Sequence, residues 1–337
     1  MSPARPLTIA IVTFNSAHQI AGCLRPFADR GPDIRIRLRD NGSTDTKTPG
    51  VLKQLAADGL IDELILVPED PGFAVAANDV ISRSGDDDIL LINPDARFTL
   101  EGIAALRAAV ATEPDLGLVT PLVYGGDEIS VISAGRQPRL WPLFTHYSGL
   151  SRLFPTSALL RGRHLFLSRH ADEDQYVEWS SGCVMLMPRT TIDKVGVFTE
   201  RYFLYADDTE YCQRVLDAGL KIKVLAGVRA FHEVGGSGQD VPVSEEQPDA
   251  AAPEDIPAVE PPSTTTPAEP IDISTMWGRH LYDYYVRQFQ PRALTRLAWR
   301  TTFTAGLAAR ALVRGARHPG DAKARHLMKN ALAVWRV

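Results

Sequence analysis

Strand and helix patterns alternate through the first 125 residues of this 337-residue chain, and the alternation limits the folds that are open to it. Short, nearly continuous apolar runs are typical of strands buried on both faces. The predicted strands are Leu7–Val12, Ile34–Arg39, Glu63–Val67, Asp88–Ile92 and Leu116–Val123. Helices are predicted near residues 47–58, 73–83 and 99–112, and from a Ser16 cap to about Arg30. The pattern predicts an α/β fold with a doubly wound, mostly parallel sheet.

Polar clusters follow three of the predicted strands. They are Thr13-Phe14-Asn15, Asp40-Asn41-Gly42-Ser43-Thr44-Asp45 and Asn93-Pro94-Asp95. Ligands bind such sheets at the carboxyl ends of the strands, so the clusters are expected to face one crevice. Asp40 is placed either to hydrogen-bond a nucleoside or only to form a tight turn, since Asn-Gly is turn sequence by itself. The GxGxxG pattern of dinucleotide-binding oxidoreductases and the Walker A pattern are both absent from the sequence.

Three acids and one histidine are candidates for chemistry. Asp95 follows a buried strand, where a carboxylate can hold Mg²⁺ or Mn²⁺ against a diphosphate, although Asn-Pro is also ordinary turn sequence. Asp207 and Asp208 open a predicted helix. Acidic side chains are favoured at a helix start by the helix dipole, and a partly buried carboxylate there can also act as a general base. His232 ends a predicted strand and becomes a candidate metal ligand only if it faces Asp95.

The net charge of −5 conceals three segments of different character. Residues 1–239, the predicted catalytic domain, carry 24 Lys and Arg against 30 acids. Residues 240–275 contain nine acids, eight prolines and no Lys or Arg, a composition that predicts a disordered linker. Residues 276–337 carry 12 Lys and Arg against two acids and have a helix-forming composition, which predicts a basic helical segment.

The basic segment has two different faces on a helical wheel. One face carries Arg292, Arg296, Arg300, Arg310, Arg314 and Arg317, with Trp299, Phe303 and Leu307 in or beside it. This mixture predicts docking on an anionic membrane surface. The opposite face carries Leu294, Ala298, Thr301, Ala305, Ala308 and Leu312, and is available to the catalytic domain or to a second subunit in a homodimer. Nucleic acid is not an expected partner, because the rest of the chain is acidic and shows no nucleic-acid motif.

The spacing of the cysteines and the length of the apolar runs indicate the cellular compartment of the protein. Cys23, Cys183 and Cys212 have no disulfide or metal-site spacing, which favours a reducing environment. The N-terminal residues lack a signal-peptide pattern, and no apolar run approaches the ~20 residues that span a bilayer. The sequence therefore predicts a cytoplasmic protein, with peripheral attachment to the inner face of the plasma membrane left open.

Seven motifs follow one another in a recognisable order. They are Ile11-Val12-Thr13-Phe14-Asn15, Asp40 to Asp45, Gly72-Phe73-Ala74 with Asn78, Leu91 to Ala96, Trp179-Ser180-Ser181-Gly182, Phe203 to Asp208, and His232. This set resembles glycosyltransferase family 2, and most closely its rhamnosyltransferase-like branch, over about residues 7–237. The resemblance implies a GT-A fold, a nucleotide-diphosphate sugar donor, Mg²⁺ or Mn²⁺, and an inverting displacement.

The resemblance also implies roles for individual residues. The donor-binding residues would be Thr13, Asn15, Asp40, Gly42, Asn78, Asn93 and Asp95. Asp95 and His232 would hold the metal, and Trp179 and Ser181 would lie on the acceptor side. Asp208 matches the position of the general base, with Asp207 as the alternative because the family's usual Glu-Asp is Asp-Asp here. Cys183 stands where the family more often has Ala, and is interpreted as a packing change.

These expectations describe an enzyme that moves a sugar, first of all rhamnose from dTDP-rhamnose, onto a hydroxyl of a glycan or lipid-linked saccharide in cell-surface polysaccharide synthesis. The alternative is a non-catalytic sugar-nucleotide-binding or scaffold protein with the same fold. The joint presence of Asp95, Asp208 and His232 favours the enzyme.

Overall fold

The computed structural model describes residues 5–125, 131–233 and 273–337. Over these residues the strands are β1 Leu7–Thr13, β2 Ile34–Asn41, β3 Glu63–Val67, β4 Asp88–Ile92, β5 Ala96–Arg97, β6 Leu116–Gly125, β7 Val131–Ile132, β8 Ala134–Gly135, β9 Leu165–Phe166, β10 Gln175–Val177, β11 Trp179–Ser180, β12 Val184–Met187 and β13 Lys221–His232. The helices are α1 Ile20–Leu24, α2 Thr48–Ala57, α3 Phe73–Arg83, α4 Leu100–Thr112, α5 Leu140–Tyr147, α6 Leu150–Leu153, α7 Leu167–His170, α8 Arg189–Val195, α9 Asp207–Asp217, α10 Met276–Phe289, α11 Ala293–Arg317 and α12 Ala322–Ala333. Two 3₁₀ turns, Arg25–Phe27 and Ile273–Thr275, complete the set for the described ranges.

A large sheet runs through the N-terminal two thirds of the chain, in the order β10-β13-β6-β12-β4-β1-β2-β3, with β5 paired to β13. The pairs β1–β2, β2–β3, β1–β4 and β6–β13 are parallel. Strand β12 lies antiparallel between β4 and β6. The predicted α/β fold with a doubly wound, mostly parallel sheet is confirmed.

Helices cover both faces of this sheet, which explains why its strands are continuous apolar runs. Ile9 and Ile11 point to one side, into a core shared with α1, α2 and α4. Leu91 and Met185 point to the other side, into a core shared with α3, α8 and α9. Because both faces are covered, functional side chains are confined to the strand ends and the loops that follow them.

The predicted helix from Ser16 is wrong in its start and its length. Helix α1 begins only at Ile20 and gives way to a 3₁₀ turn at Arg25. The Ser16 hydroxyl donates to the carbonyl of Phe14, so it does not cap the helix with its side chain. Pro26 in the following turn has no N–H to continue an α-helical ladder.

Helices α10 to α12 pack on α5 and form a separate apolar core. Trp299 and Phe303 are fully buried, and the indole Nε1 of Trp299 donates to the carbonyl of Pro138 at 2.7 Å. Gly306 lets the ring of Tyr147 approach α11, because a Cβ there would lie 2.2 Å from the ring. Full burial of a side chain as large as Phe303 contributes about 1.5–3 kcal/mol to the free energy of folding. The packing of the C-terminal helices is therefore a substantial part of the stability of the fold.

The orientation predicted for the basic helix is therefore reversed. Trp299, Phe303 and Leu307 face the protein, whereas Leu294 and Leu312 on the other face are 81% and 68% exposed. Several arginines of the predicted membrane face have partners within the protein. Arg310 donates to His146 Nε2 at 2.6 Å, Arg314 pairs with Asp321 at 2.5 Å, and Arg300 donates to the carbonyl of Val337 at 2.7 Å.

Two further sequence predictions concern the C-terminal third. The helical structure that the composition of residues 276–337 predicts is confirmed by α10, α11 and α12. The predicted disordered linker, residues 240–275, lies outside the described residues except for the 3₁₀ turn Ile273–Thr275. Among the helices of the described ranges, none is long and apolar enough to cross a membrane.

Candidate active site

The carboxyl ends of β1 and β2 meet in a hydrogen-bonded cluster centred on Asp40. One oxygen of this buried carboxylate accepts from the Thr13 hydroxyl at 3.0 Å and from the Ser43 hydroxyl at 2.6 Å, and the other accepts from the Ser43 N–H at 3.1 Å. The parallel register places Thr13 directly opposite Asp40, which explains the contact. The structure thus brings together these two predicted donor-binding residues at the sheet edge.

Asn15 and Gly42 shape the same edge. Asn15 adopts φ 51°, a left-handed conformation that Asn tolerates, and its side-chain oxygen accepts from the N–H groups of Thr44 and Asp45 at 2.8 and 3.0 Å. Gly42 has φ 70°, and a Cβ there would lie 2.8 Å from the backbone of Glu69. Only glycine fits this position, so the loop after β2 is fixed against the loop after β3.

Asp95 and His232 lie side by side, although 136 residues stand between them in the sequence. The Oδ1 atom of Asp95 is 3.1 Å from Nε2 of His232, because β5 pairs antiparallel with the end of β13 and sets His232 opposite Ala96. The amide nitrogen of Asn93 is 3.5 Å from the same Nε2 atom. The three residues therefore form one polar cluster at the end of β4.

Cys183 completes the surroundings of His232, a role that the packing interpretation did not anticipate. Burial opposes the charged imidazole, but contacts with Cys183 and Asp95 outweigh burial and raise the pKa of His232 above its ordinary value. For the Cys183 thiol the effect of burial is the opposite, and it raises the pKa above its ordinary value. Sequence spacing gave no signal for this contact, because Cys183 is near neither Asp95 nor His232 along the chain.

The candidate general base is connected to this cluster through the turn between β11 and β12. Asn93 donates its N–H to the carbonyl of Cys183 at 2.8 Å. The preceding residue, Gly182, donates its N–H to Oδ2 of Asp208 at 3.3 Å. The predicted metal-side and base-side residues therefore share a single hydrogen-bonded support, as one reaction centre requires.

The backbone before Asp207 and Asp208 is strained. Tyr205 and Ala206 have φ 68° and 67°, left-handed values that cost non-glycine residues about 1–3 kcal/mol each. Ala206 is held in a small buried cluster with Tyr202 and Tyr284. This strained turn starts α9 abruptly and places both carboxylates at its first turn.

The C-terminal helices support this turn directly. His280 on α10 donates from Nδ1 to the carbonyl of Leu204 at 2.7 Å. The buried side chain of Gln137 accepts from the Tyr284 hydroxyl at 2.9 Å and donates to the carbonyl of Thr209 at 3.1 Å. Gln137 thus joins α10 to the start of α9, a function that no pattern in the sequence indicated.

On the predicted acceptor side, Trp179 and Ser181 flank the same turn. The guanidinium carbon of buried Arg163 lies 3.6 Å from the centre of the Trp179 ring, and its Nη2 donates to the Thr209 hydroxyl at 3.1 Å. That hydroxyl donates in turn to Oδ1 of Asp208 at 3.0 Å. Sequence analysis missed Arg163, because it lies in the irregular segment before β10 and only the tertiary fold brings it to Asp208.

Asn78 occupies a different environment from the other predicted donor-binding residues. Its side-chain nitrogen donates to the carbonyl of Phe198 at 2.9 Å, and its oxygen accepts from the Phe198 N–H at 3.0 Å. A further contact reaches Glu200 at 3.1 Å. Asn78 therefore ties α3 to the loop that leads into the strained turn, and its predicted place near the donor phosphates stays a prediction.

Asp207 makes the stability of the protein sensitive to pH. Burial, followed by the nearby charge of Asp208, raises the pKa of Asp207 well above the usual carboxyl range. Its ionisation in the folded state is therefore unfavourable, and stability is lost as the pH rises above the ordinary carboxyl pKa of about 4. We expect Asp207→Asn to raise the melting temperature at pH 8 by several degrees and to change it little at pH 4.5.

Differential scanning fluorimetry at the two pH values measures this difference. Asp217→Asn, at the exposed far end of the same helix, is the matched control and should give the same shift at both pH values. A melting temperature that falls at pH 8 in Asp207→Asn would show that the carboxylate is stabilising there.

Solved structures of similar architecture identify the fold. PcManGT, a mannosyltransferase from Pyrobaculum calidifontis in complex with GDP-Man and Mn²⁺, has a TM-score of 0.55 at 16% identity, over 99% of this chain and 86% of that chain. GalNAc-T7 with UDP, GalNAc and Mn²⁺ has a TM-score of 0.50 at 13% identity, over 70% of this chain and 46% of that chain, so this chain spans less than half of GalNAc-T7. The fold is that of the GT-A glycosyltransferases.

The sequence comparisons specify the family. The family model described as glycosyl transferase family 2 matches residues 8–175. The chain belongs to glycosyltransferase family 2, as its ordered motifs predicted. The N-acetylglucosaminyl-diphospho-decaprenol L-rhamnosyltransferase of Mycobacterium tuberculosis is 28% identical over 219 residues, which are 61% of this chain and 69% of that protein.

Proposed function

We propose that this glycosyltransferase is an inverting enzyme that moves rhamnose from dTDP-rhamnose to a hydroxyl of a lipid-linked saccharide. The observation that carries the proposal is the shared support of Asp95, His232 and Asp208 through the Gly182-Cys183 turn. The sugar and the type of acceptor rest on the similarity to the mycobacterial rhamnosyltransferase. The predicted role in cell-surface polysaccharide synthesis is part of the same proposal.

The Asp95–His232 pair has a geometry that fits a divalent cation. Oδ1 of Asp95 is buried and makes no hydrogen bond of good geometry, and the group beside it is Nε2 of His232 at 3.1 Å. Two neighbouring ligands, each about 2.1 Å from one ion, stand about 3 Å apart, close to the separation of these two atoms. Mg²⁺ commonly takes one or two carboxylates together with substrate phosphates.

The ion would depend on the donor for its remaining ligands. No group of three or more His, Cys, Asp or Glu side chains in the described parts of the chain is arranged to hold a metal. We therefore propose that Asp95 and His232 hold Mg²⁺ or Mn²⁺ together with the donor diphosphate. When bound, the cation supplies charge stabilisation for the departing nucleoside diphosphate.

Asp208 performs the proton transfer in this proposal. As the acceptor hydroxyl attacks the anomeric carbon, Asp208 takes its proton, and the bond to the diphosphate breaks on the opposite side of the sugar. The N–H of Thr209 donates to Oδ1 of Asp208 at 2.5 Å and the Gly182 N–H donates to Oδ2, which fixes the carboxylate plane. The carboxylate is thus held in one orientation before the acceptor arrives.

A lipid-linked acceptor would bring the enzyme to a membrane surface, and peripheral attachment belongs to this proposal. The reversed orientation of α11 means that this attachment does not use the Arg and Trp face. Exposed apolar side chains around α6 support an alternative contact: Leu153, Phe154 and Leu159 are 72%, 53% and 70% exposed. Apolar residues that are grouped in this way often mark an interaction site.

A thermal-shift screen tests the donor. We expect dTDP-rhamnose with Mn²⁺ to raise the melting temperature more than UDP-galactofuranose, UDP-N-acetylglucosamine or GDP-mannose, because a ligand that binds only the folded state stabilises it. Chelation with EDTA should remove most of the effect. If another sugar nucleotide raises the melting temperature more, that sugar nucleotide replaces dTDP-rhamnose as the proposed donor.

A turnover assay separates the enzyme from a non-catalytic binding protein. Release of dTDP from the donor should require a lipid-diphosphate-linked saccharide acceptor and Mn²⁺. Donor binding without product formation across a panel of such acceptors would instead favour the scaffold alternative.

A further inference from the structure

The outer face of α11 is an uncharged ridge that nothing covers in the described parts of the protein. It consists of Leu294, Ala298, Thr301, Ala305, Ala308 and Leu312, hereafter the α11 ridge. Leu294, Thr301, Ala305 and Leu312 are exposed, and the other two members are partly exposed. At a rise of 1.5 Å per residue the ridge is about 27 Å long. Apolar faces of this length on soluble proteins commonly mark a binding partner.

The spacing of the ridge is that of a helix-pairing seam. Its residues follow one another at intervals of four, three, four, three and four. Alternation of three and four keeps a seam on one side of a helix and is the pattern by which helices pack along their length. The middle of the ridge carries only Ala and Thr, which lets a second helix approach to about 8 Å, the close end of the usual range.

The ridge is also symmetric about its own centre. Its residues form pairs that lie at equal distances in sequence before and after Phe303. The pairs are Leu294 with Leu312, Ala298 with Ala308, and Thr301 with Ala305. Two copies of α11 in antiparallel orientation would therefore meet Leu with Leu at both ends and small residues with small residues in the middle. A two-fold symmetric interface requires such self-complementarity, because the same patch serves both subunits.

The charges of α11 select a second copy over an anionic membrane. The arginines of this helix lie on the other side, where Arg310 and Arg314 contact His146 and Asp321 and Arg300 lies over the ring of Tyr282. A membrane of anionic lipids would attract arginines that border the exposed face. A second copy of the chain instead requires a face without like charges, and the ridge has none.

We infer that the α11 ridge is the interface of a symmetric, antiparallel homodimer. The ridge alone is narrow compared with a standard interface of about 800 Å² per partner, so the dimer should dissociate in the micromolar range. Helix α11 packs on α5, and its Trp299 packs on Tyr282 and Tyr285 of α10. Because α10 in turn holds the strained turn before Asp207, the proposed interface lies on a helix that adjoins the support of the site. The inference does not depend on the identity of the donor or acceptor.

Sedimentation velocity of the full chain between about 1 and 100 μM tests the dimer. We expect a concentration-dependent shift from monomer to dimer. Ala305→Arg places two like charges at the centre of the interface and should weaken dimerisation by about 10²-fold or more. Ala322→Arg, at the exposed start of α12, adds the same charge elsewhere and should leave dimerisation unchanged. Equal melting temperatures of the variants confirm that both are folded, because both positions are exposed in the monomer.

Cysteine cross-linking tests the antiparallel arrangement. The native Cys23, Cys183 and Cys212 are buried, so they give little background. An equimolar mixture of Leu294→Cys and Leu312→Cys chains should form disulfide-linked dimers, whereas each variant alone should not. Self-linking of Leu294→Cys alone would overturn the antiparallel pairing. A monomer at 100 μM, a dimer unaffected by Ala305→Arg, or binding to anionic vesicles that Ala305→Arg abolishes would overturn the homodimer.

Discussion

Asp208→Asn is expected to lower kcat by about 10²-fold or more while donor affinity remains nearly unchanged. Asn keeps a side-chain oxygen that can accept from the Thr209 N–H, so the start of α9 should keep its shape. What the variant loses is the ability to take a proton from the acceptor hydroxyl. The loss should therefore appear in the chemical step, and single-turnover measurements with saturating donor and acceptor are the direct readout.

The neighbouring carboxylate provides the matched control for this experiment. Asp207 is the more deeply buried of the two, and its raised pKa favours the protonated form at neutral pH, which cannot accept a proton from the acceptor. We expect Asp207→Asn to retain most of the turnover. If Asp208→Asn is nearly normal and Asp207→Asn is inactive, the role of general base moves to Asp207.

The strands of the sheet could be predicted because their residues carry the pattern that the fold demands. Glu63–Val67 and Asp88–Ile92 have the predicted bounds in the structure. A parallel strand covered on both faces must be apolar throughout, and such a run is visible in a single sequence. The polar clusters after the strands could also be placed at one edge, since the carboxyl ends of parallel strands lie together.

The orientation of α11 could not be predicted in the same way. A helix with aromatic residues on one side and leucines and alanines on the other has two apolar faces, and the wheel does not show which is covered. Trp299 and Phe303 pack against Tyr282, Tyr285 and Trp277, whose arrangement only the folded chain provides. The arginines beside them therefore make contacts within the protein that the sequence could not show.

The buried residues that support the candidate site could not be predicted from the sequence for a related reason. Gln137 and Arg163 belong to the segment between β6 and β10, whose elements are short and lack a clear period. Each is a buried polar residue whose partners are far away in sequence: Tyr284 for Gln137 and Thr209 for Arg163. A pattern of neighbouring residues carries no information about contacts of this range, so only the structure reveals them.

Asp95→Asn is expected to lower kcat/KM by about 10²-fold or more and to abolish the dependence of nucleotide binding on Mn²⁺. The carboxylate supplies the negative oxygen ligand of the proposed ion, and an amide oxygen at the same position is a weaker ligand because it is neutral. His232→Gln should show the same loss of Mn²⁺-dependent binding, since the two side chains face each other at 3.1 Å. Calorimetric titration of dTDP with and without Mn²⁺ measures this dependence apart from turnover.

Glu233→Gln is the control that separates a metal ligand from a nearby negative charge. Glu233 follows His232 directly, is exposed, and pairs with Arg97 at 3.3 Å, so its replacement removes one charge from the same neighbourhood without touching the Asp95–His232 pair. We expect this variant to retain the Mn²⁺ dependence of the unmodified protein. Should Asp95→Asn and His232→Gln bind dTDP with unchanged Mn²⁺ dependence, the ion is held elsewhere. Should EDTA leave turnover of the unmodified enzyme intact, the pair is an ion pair that orients the end of β13, and stabilisation of the leaving diphosphate falls to other groups at the sheet edge.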